Sequence, residues 1–466
     1  MTNIQTGSFV DWVEEHRGTQ YSLHQEYVNP AFVKMLKAIG FDKNYTRGLG
    51  PYLWDAQGNQ YLDLLTGWGV FMLGRNHPRV REALKDMIDA ESPNLVRMDC
   101  SILSGLVAKG LIRHMPDGAW RVFFTNSGTE SVEGALKFAR CVTGRQKVVH
   151  CHNAFHGLTA GSLSVNGAAF FRERFGDLVP GAVEIPFNDI SALEKALAGR
   201  DVAAFILEPI QGKTCEVVAD GFLIEAQRLC RKSGTLLIVD EVQSGMGRTG
   251  KWFCFQHWPG VEPDIVCVAK GLSGGFVPVG AVICKAQIIE TVFNSMERCV
   301  VHSNTYGQND LAMAAAMASI QVIEEERLVE NAAQLGQYAI DRLRDIGRNC
   351  PFVTEVRGKG LMFGIDFARP ESSIKLRLAW DALHKLNFGV FGQMIVVPLM
   401  QKHRILTQVA GYHTEVIKFL PPLVVSQADM DWFLTAMEET LADTQRIPGA
   451  AWDTVMGLAK NVMRAG

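Results

Sequence analysis

The chemistry most readily read from this sequence is carried by one lysine and one aspartate. Lys270 closes the run Asp264-Ile265-Val266-Cys267-Val268-Ala269 and precedes the glycine-rich stretch Gly271-Leu272-Ser273-Gly274-Gly275. Earlier in the chain, Leu236-Leu237-Ile238-Val239 delivers Asp240 in the same way. Both runs are short and apolar, the pattern of a strand buried on both faces. A lysine and an acid therefore stand at the carboxyl ends of two core strands, the edge of an open α/β sheet where ligands bind. A lysine there can form a Schiff base with an aldehyde. An acid there can keep a heteroaromatic ring nitrogen protonated. Taken singly, such a lysine is usually solvated and such an acid is usually a helix cap. The chemistry needs the rest of a site in workable order.

That rest is present. Arg121-Val122-Phe123-Phe124 reads as a strand and Thr125-Asn126-Ser127-Gly128-Thr129-Glu130 as a small-residue turn. Val132, Ala135, Leu136 and Ala139 then follow helical spacing. Ser127 with Glu130 fits a capping box. Free backbone N–H groups and the positive end of a helix dipole meet at such a turn. Ser127, Gly128 and Thr129 can therefore wrap a phosphate, and the competing reading is a plain capped helix. In Asn153-Ala154-Phe155-His156-Gly157, the aromatic Phe155 can stack on a ring or simply fill core. Cys151, His152 and His156 cluster as metal ligands do, but no carboxylate or second cysteine completes a set, and no metal is expected. Glu208-Pro209-Ile210-Gln211-Gly212 ends a further apolar run. Beyond Asp240, Val242 can pack on a ring face opposite Phe155, and Gln243 can reach a ring hydroxyl. A protonated ring nitrogen withdraws electrons and stabilises the carbanion left when a proton leaves a substrate carbon. Together these parts describe a site for pyridoxal 5'-phosphate.

The elements that must hold the parts follow from the pattern of apolar runs. With 466 residues, 47% hydrophobic and 20% charged, the chain is long enough for two or three domains. Candidate strands at 121–124, 147–150, 203–207, 235–239, 265–269 and 280–284 alternate with helical segments. That alternation predicts an α/β fold with a mostly parallel sheet covered by helices on both faces. The aromatic-rich first 75 residues contain a hairpin turning at Gln57-Gly58-Asn59. A helical stretch over 311–346 leads to strands at 354–357 and 361–366 around Gly358-Lys359-Gly360. Ser426-Gln427-Ala428-Asp429 is a capping-box pattern ahead of one apolar helical face. The expected organisation is a large cofactor-binding domain over 76–330 and a smaller α+β domain built from 1–75 and 331–466.

Composition excludes several function classes. A net charge of −3 points to neither nucleic acid nor an anionic membrane surface. The 10 cysteines form no C-x-x-C pair, and several fall in apolar strands, which favours a reducing cytoplasmic setting. Residues 1–16 lack a basic-then-apolar signal pattern. The most apolar stretch, 388–400, is interrupted by Gly389, Gly392, Gln393 and Pro398, so no membrane span is expected.

In this order the motifs resemble those of the class III aminotransferases, pyridoxal-phosphate enzymes of fold type I. The resemblance runs from about Gly50 to Leu441. Beyond the segments above it rests on Ser244-Gly245-Met246-Gly247-Arg248-Thr249-Gly250 following Gln243, on Thr305-Tyr306-Gly307, on Gly358-Lys359-Gly360-Leu361 and on Pro421-Pro422-Leu423. It implies a large domain of the seven-stranded type and Lys270 as the Schiff-base lysine. It also implies Asp240 as partner of the pyridinium, Phe155 as the stacking aromatic with His156 and Glu208 beside it, and Gln243 on the ring hydroxyl. Ser127, Gly128 and Thr129 would hold the phosphate. Thr305 would serve the phosphate of the neighbouring subunit, which implies an obligate homodimer with shared sites.

The implied activity is a ping-pong transfer of an amino group between an amine donor and a 2-oxo acid. The nearest look is to putrescine, diamine and ω-amino-acid aminotransferases. Three positions depart from ornithine-type members: Leu158 and Lys418 stand where arginines are usual, and Lys213 stands where a gating glutamate is usual. The motif after Thr305 also reads Gln308-Asn309-Asp310. An apolar Leu158 predicts a reacting terminal carbon without an adjacent carboxylate. Lys213 and Lys418 can hold a substrate anion, or can simply be solvated or paired with Glu216 and Glu415. The apolar segment 391–399 reads as core, or as a wall for a long-chain or lipid-like aldehyde acceptor. Decarboxylase, aminomutase or racemase chemistry would use the same lysine. A non-catalytic regulator is disfavoured, since no DNA-binding module or basic arm is attached.

Overall fold

Seven strands between Trp120 and Lys285 assemble into one sheet, in the order Trp120–Thr125, Gly280–Lys285, Ile265–Val268, Leu236–Asp240, Val202–Leu207, Lys147–Cys151, Ala182–Ile185. The structure is a computed structural model that describes residues 8–96, 98–386, 390–411 and 414–447, with Gly449 and Trp452. Gly280–Lys285 runs against both of its neighbours, and the other pairings in this sheet are parallel. The strands expected from the apolar runs are all present. Ala182–Ile185 is an addition: at four residues, with only Ile185 buried, this edge strand is too short and polar to show a period.

Alternate side chains of each strand point to opposite faces. Ile206, Ile238, Ile265, Cys267 and Val282 pack on one face against Val132, Leu136, Phe138 and Ala139 of the helix Gly128–Thr143. Their strand neighbours Phe205, Leu237, Val239, Val266 and Val268 join the larger core on the other face. Every residue of Val202–Leu207 and Ile265–Val268 is buried, as a sheet covered twice requires.

The N-terminal hairpin pairs Tyr52–Asp55 with Gln60–Asp63. The Asp55 carboxylate fixes its turn by accepting from the backbone N–H groups of Gln57 (3.0 Å) and Asn59 (2.8 Å) and from the Tyr61 hydroxyl (2.8 Å). Ile405–Leu406 adds to this sheet in parallel with Gln60–Asp63, so both ends of the chain share it. A second four-stranded sheet orders Val353–Lys359, Met362–Phe367, Val416–Phe419 and Gln408–Val409.

Two expectations change. The helical stretch over 311–346 is two helices, Asp310–Glu325 and Leu328–Gly347, divided where Arg327 takes φ of 53°. The apolar stretch is core and not a substrate wall. It forms the helix Val390–Gln401, in which Phe391, Met394, Ile395 and Leu399 are buried, and Phe391 packs on Phe352 at 4.8 Å between ring centroids. Phe388 and Gly389 lie outside the described residues. The capping box before the last long helix, Gln427–Thr444, forms as read: Asp429 N–H donates to Ser426 Oγ and Ser426 N–H to Asp429 Oδ2. Among the described residues no helix is long and apolar enough to cross a membrane.

Candidate active site

The carboxyl ends of the parallel strands open into a cavity of about 910 Å³. Ser127, Gly128, Thr129, Phe155, His156, Glu208, Asp240, Val242, Gln243 and Lys270 all line it. Thr305 is exposed and does not line the cavity of its own chain.

Sheet register brings Lys270 and Asp240 together. Asp240 pairs with Cys267, so the lysine follows three residues beyond the partner of the acid. Lys270 takes φ of 38°, a left-handed conformation that L-residues adopt at a cost, and it turns the chain straight into a short 3₁₀ helix, Lys270–Ser273. Burial, with the nearby charge of Lys418, lowers its amine to about 8, so the neutral, nucleophilic form is far more accessible near neutral pH than for a free lysine. Asp240 is buried and held at both oxygens. Oδ1 accepts from Val242 N–H at 3.0 Å, and Oδ2 meets His156 Nδ1 at 2.8 Å. His156 is in turn fixed through its backbone N–H on Asn166 Oδ1 at 2.6 Å. Its Nε2 is buried and, among the described residues, has no hydrogen-bond partner.

Glu208 holds the loops that carry two walls of the cavity. Oε2 accepts from Phe155 N–H and Oε1 from Gly212 N–H, both at 2.9 Å. Its burial raises the carboxyl above the usual range.

The phosphate-type cradle forms at the start of the helix Gly128–Thr143. Ser127 Oγ accepts from Glu130 N–H at 3.3 Å. The expected capping box is only half made, because Glu130 turns back one residue further, to Asn126 N–H (2.7 Å) and Nδ2 (2.9 Å). The Thr129 hydroxyl is engaged by Ser162 Oγ at 2.6 Å and by the N–H groups of Leu158 and Thr159. What the turn offers an anion is therefore mainly main-chain N–H and the dipole end of the helix. Gly128 keeps that space open, since a Cβ there would sit 2.7 Å from Val242 Cγ1. A glycine cradle, an aromatic and a valine on the walls, a braced carboxylate and a depressed lysine fit pyridoxal phosphate in one cavity.

The two departing lysines have separate surroundings, and neither makes the plain pair read from sequence. Lys418 is buried on Val416–Phe419 and donates to Gly212 O and, at 3.1 Å, to Gln243 Oε1. The Gln243 amide is tied at its other end to Trp68 O at 2.9 Å. Glu415 accepts from His384 Nε2 at 2.9 Å. The ammonium of Lys213 lies over the rings of Phe155 (4.8 Å) and Phe171 (4.3 Å). The Cys151-His152-His156 cluster disperses: Cys151 is buried, His152 meets Glu184 at 2.8 Å and His156 meets Asp240. Among the described residues no group of His, Cys, Asp and Glu is placed to hold a metal ion.

Trp68, Phe171 and Phe276 also line the cavity and were not found by sequence reasoning. Trp68 had a usable signal. It stands between Gly67 and Gly69 in a left-handed stretch, with φ of 60° for both Gly67 and Trp68.

Comparison with known proteins agrees with this geometry. The family model "Aminotransferase class-III" matches residues 38–441. The chain is 35% identical over 444 residues to Aminotransferase PigE of Serratia sp. (strain ATCC 39006), covering 89% of this chain and 52% of that protein. It thus spans about half the length of that relative. It is 40% identical over 365 residues to putrescine aminotransferase of Pectobacterium atrosepticum, covering 75% of this chain and 77% of that one. Among solved structures, ornithine aminotransferase from Toxoplasma gondii superposes with a TM-score of 0.81 at 28% identity, covering 94% of this chain and 99% of that one.

Proposed function

Because the chain belongs to the class III aminotransferases, a pyridoxal-phosphate-dependent family, we propose that it moves an amino group between a terminal carbon and a 2-oxo acid by a ping-pong mechanism. The donor class is a primary amine or an ω-amino compound. The observation that carries this reading is the pairing of Lys270 with a braced Asp240 at neighbouring strand ends of one cavity. When bound, pyridoxal phosphate supplies an aldehyde for an amine to condense with and a ring that accepts the charge left on the substrate carbon.

The residues of this chain do the rest. The neutral amine of Lys270 takes a proton from the substrate carbon and returns it elsewhere, as general base and then general acid. Asp240 would hold a proton on the ring nitrogen, and its bonds to His156 and Val242 keep both oxygens fixed. Phe155 and Val242 would set the plane of the ring, and the N–H groups after Ser127 would take the phosphate. Gln243 would reach the ring hydroxyl, with its amide positioned by Lys418 at Oε1 and by Trp68 O at Nε2.

The terminal-carbon preference rests on Leu158, which lines the cavity and is 56% exposed. An α-carboxylate facing it would lose water without gaining a partner. In assays with a common 2-oxo acid, a long-chain primary amine or an ω-amino acid is expected to outperform plain α-amino acids at least tenfold as donor. Preference for α-amino acids by tenfold or more refutes the Leu158 argument. A second reading, amination of a long-chain or lipid-like aldehyde, is favoured by the apolar walls Trp68, Leu158, Phe171, Phe276 and Val277. Product formation in the absence of any 2-oxo acid would point instead to decarboxylase or aminomutase chemistry.

A homodimer completes the reading. Thr305 lies away from its own cavity, in a segment that exposes Met296, Val300 and Tyr306 at 92%, 71% and 62%. Lys270→Ala subunits mixed with Thr305→Ala subunits are expected to regain activity at one site per hybrid dimer, because that site has both residues intact. A fully active monomer contradicts shared sites. The free state of all described cysteines fits a cytoplasmic setting.

A further inference from the structure

We infer that Lys213 sets the substrate range of the cavity, gripping the carboxylate of the 2-oxo acid or of an ω-amino acid and turning away donors with a second positive charge. The inference rests on the aminotransferase reading and names the substrate class of that same site.

Three lysines line the cavity, and among its described lining residues there is no arginine. Lys270 is committed to the cofactor aldehyde. Lys418 is committed to Gly212 O and Gln243 Oε1. Among the described lining residues Lys213 is the remaining lysine. Among the described residues its ammonium has neither a carboxylate nor a hydrogen-bond partner, only the faces of Phe155 and Phe171. Such a shelf offsets part of the cost of burying a charge, and burial with the charge of Lys418 lowers the amine to about 8. A carboxylate offers that ammonium a charge-assisted hydrogen bond, which the rings cannot. When an uncharged amine occupies the site, the lysine has the aromatic shelf to return to.

Among the described lining residues, no carboxylate is free for a distal ammonium. The lining carboxylates are Glu208 and Asp240. Glu208 is taken by the N–H groups of Phe155 and Gly212, and Asp240 by His156 and Val242 N–H. A second ammonium would share the cavity with Lys213 and Lys418, whose like charges repel it. Monoamines with apolar chains and ω-amino acids therefore suit the cavity, and simple diamines do not.

The test compares the loaded wild-type enzyme with Lys213→Met, Lys213→Glu and Lys213→Arg. Donors are butane-1,4-diamine, 4-aminobutyrate and butylamine, and pyruvate is the acceptor. Wild type is expected to favour 4-aminobutyrate and butylamine over the diamine by tenfold or more. Lys213→Met is expected to raise the KM for pyruvate about 10- to 100-fold with a smaller change in kcat, the size of a lost charged hydrogen bond. Lys213→Glu is expected to shift the preference toward the diamine by at least about tenfold, while Lys213→Arg keeps the wild-type order. Calorimetric titration with butyrate, which cannot react, gives an independent reading. Binding should be lost in Lys213→Met and kept in Lys213→Arg. A pyruvate KM and a butyrate affinity within twofold of wild type in Lys213→Met overturn the proposal, as does a tenfold wild-type preference for the diamine. If wild type transfers no amino group from any donor, the aminotransferase reading fails, and the butyrate titration still judges Lys213.

Discussion

Lys270→Ala is expected to lower the transamination rate by about a hundred- to ten-thousand-fold, the contribution of a positioned general acid–base group. The fold should survive. Lys270 lies at a strand end and not in the packed interior of the sheet, and the substitution relieves a lysine of a buried charge. Its left-handed φ of 38° is as unfavourable for alanine as for lysine, so the backbone strain is not worsened. Small primary amines added to the assay should restore part of the rate, since they can carry protons in the space the side chain leaves. A thermal melt alongside steady-state rates separates lost chemistry from lost structure. A fall of less than about threefold would remove the lysine from the mechanism.

Asp240→Asn should cost about 3–4 kcal/mol of transition-state stabilisation, or roughly a hundred- to thousand-fold in rate, as for removal of one group aimed at developing charge. An amide of the same shape can still meet Val242 N–H through its oxygen. It cannot hold the positive charge of a protonated ring nitrogen, and its NH₂ group faces His156 Nδ1, which then must accept and not donate. Some cofactor should remain bound, because the N–H cradle after Ser127, the Phe155 face and Lys270 are untouched. Absorbance of the bound cofactor, measured with the rate, distinguishes weakened chemistry from an empty site. A loss below about threefold would refute the role.

Much of the candidate site was legible because its polar residues interrupt strongly apolar runs. Asp240 and Lys270 each end a run whose central residues are buried in the sheet, and Ser127 stands between a strand and a helical face. Such boundaries are local, so a single sequence records them. What was missed depends on distant neighbours or weak local signals. Lys418 reaches Gly212 from 206 residues away, so its proximity in sequence to Glu415 misled. Lys213 finds two aromatic rings and not Glu216, and a ring face leaves no charge pattern to read. The helix break at Arg327 has no glycine or proline to announce it, and the preceding Glu324, Glu325 and Glu326 read as ordinary helix formers. Phe171, on the short helix Ala169–Arg172, and Phe276, on a loop, enter the cavity along a course that only the fold determines.

The central claim is that Lys270 is the residue joined to the cofactor. The most direct measurement is borohydride reduction of the purified, cofactor-loaded protein, expected to be yellow, followed by peptide mapping. Reduction should fix the cofactor permanently to Lys270, in the peptide that contains Ala269 and Gly271. Label on Lys213, Lys418 or any other lysine, with Lys270 unmodified, would contradict it.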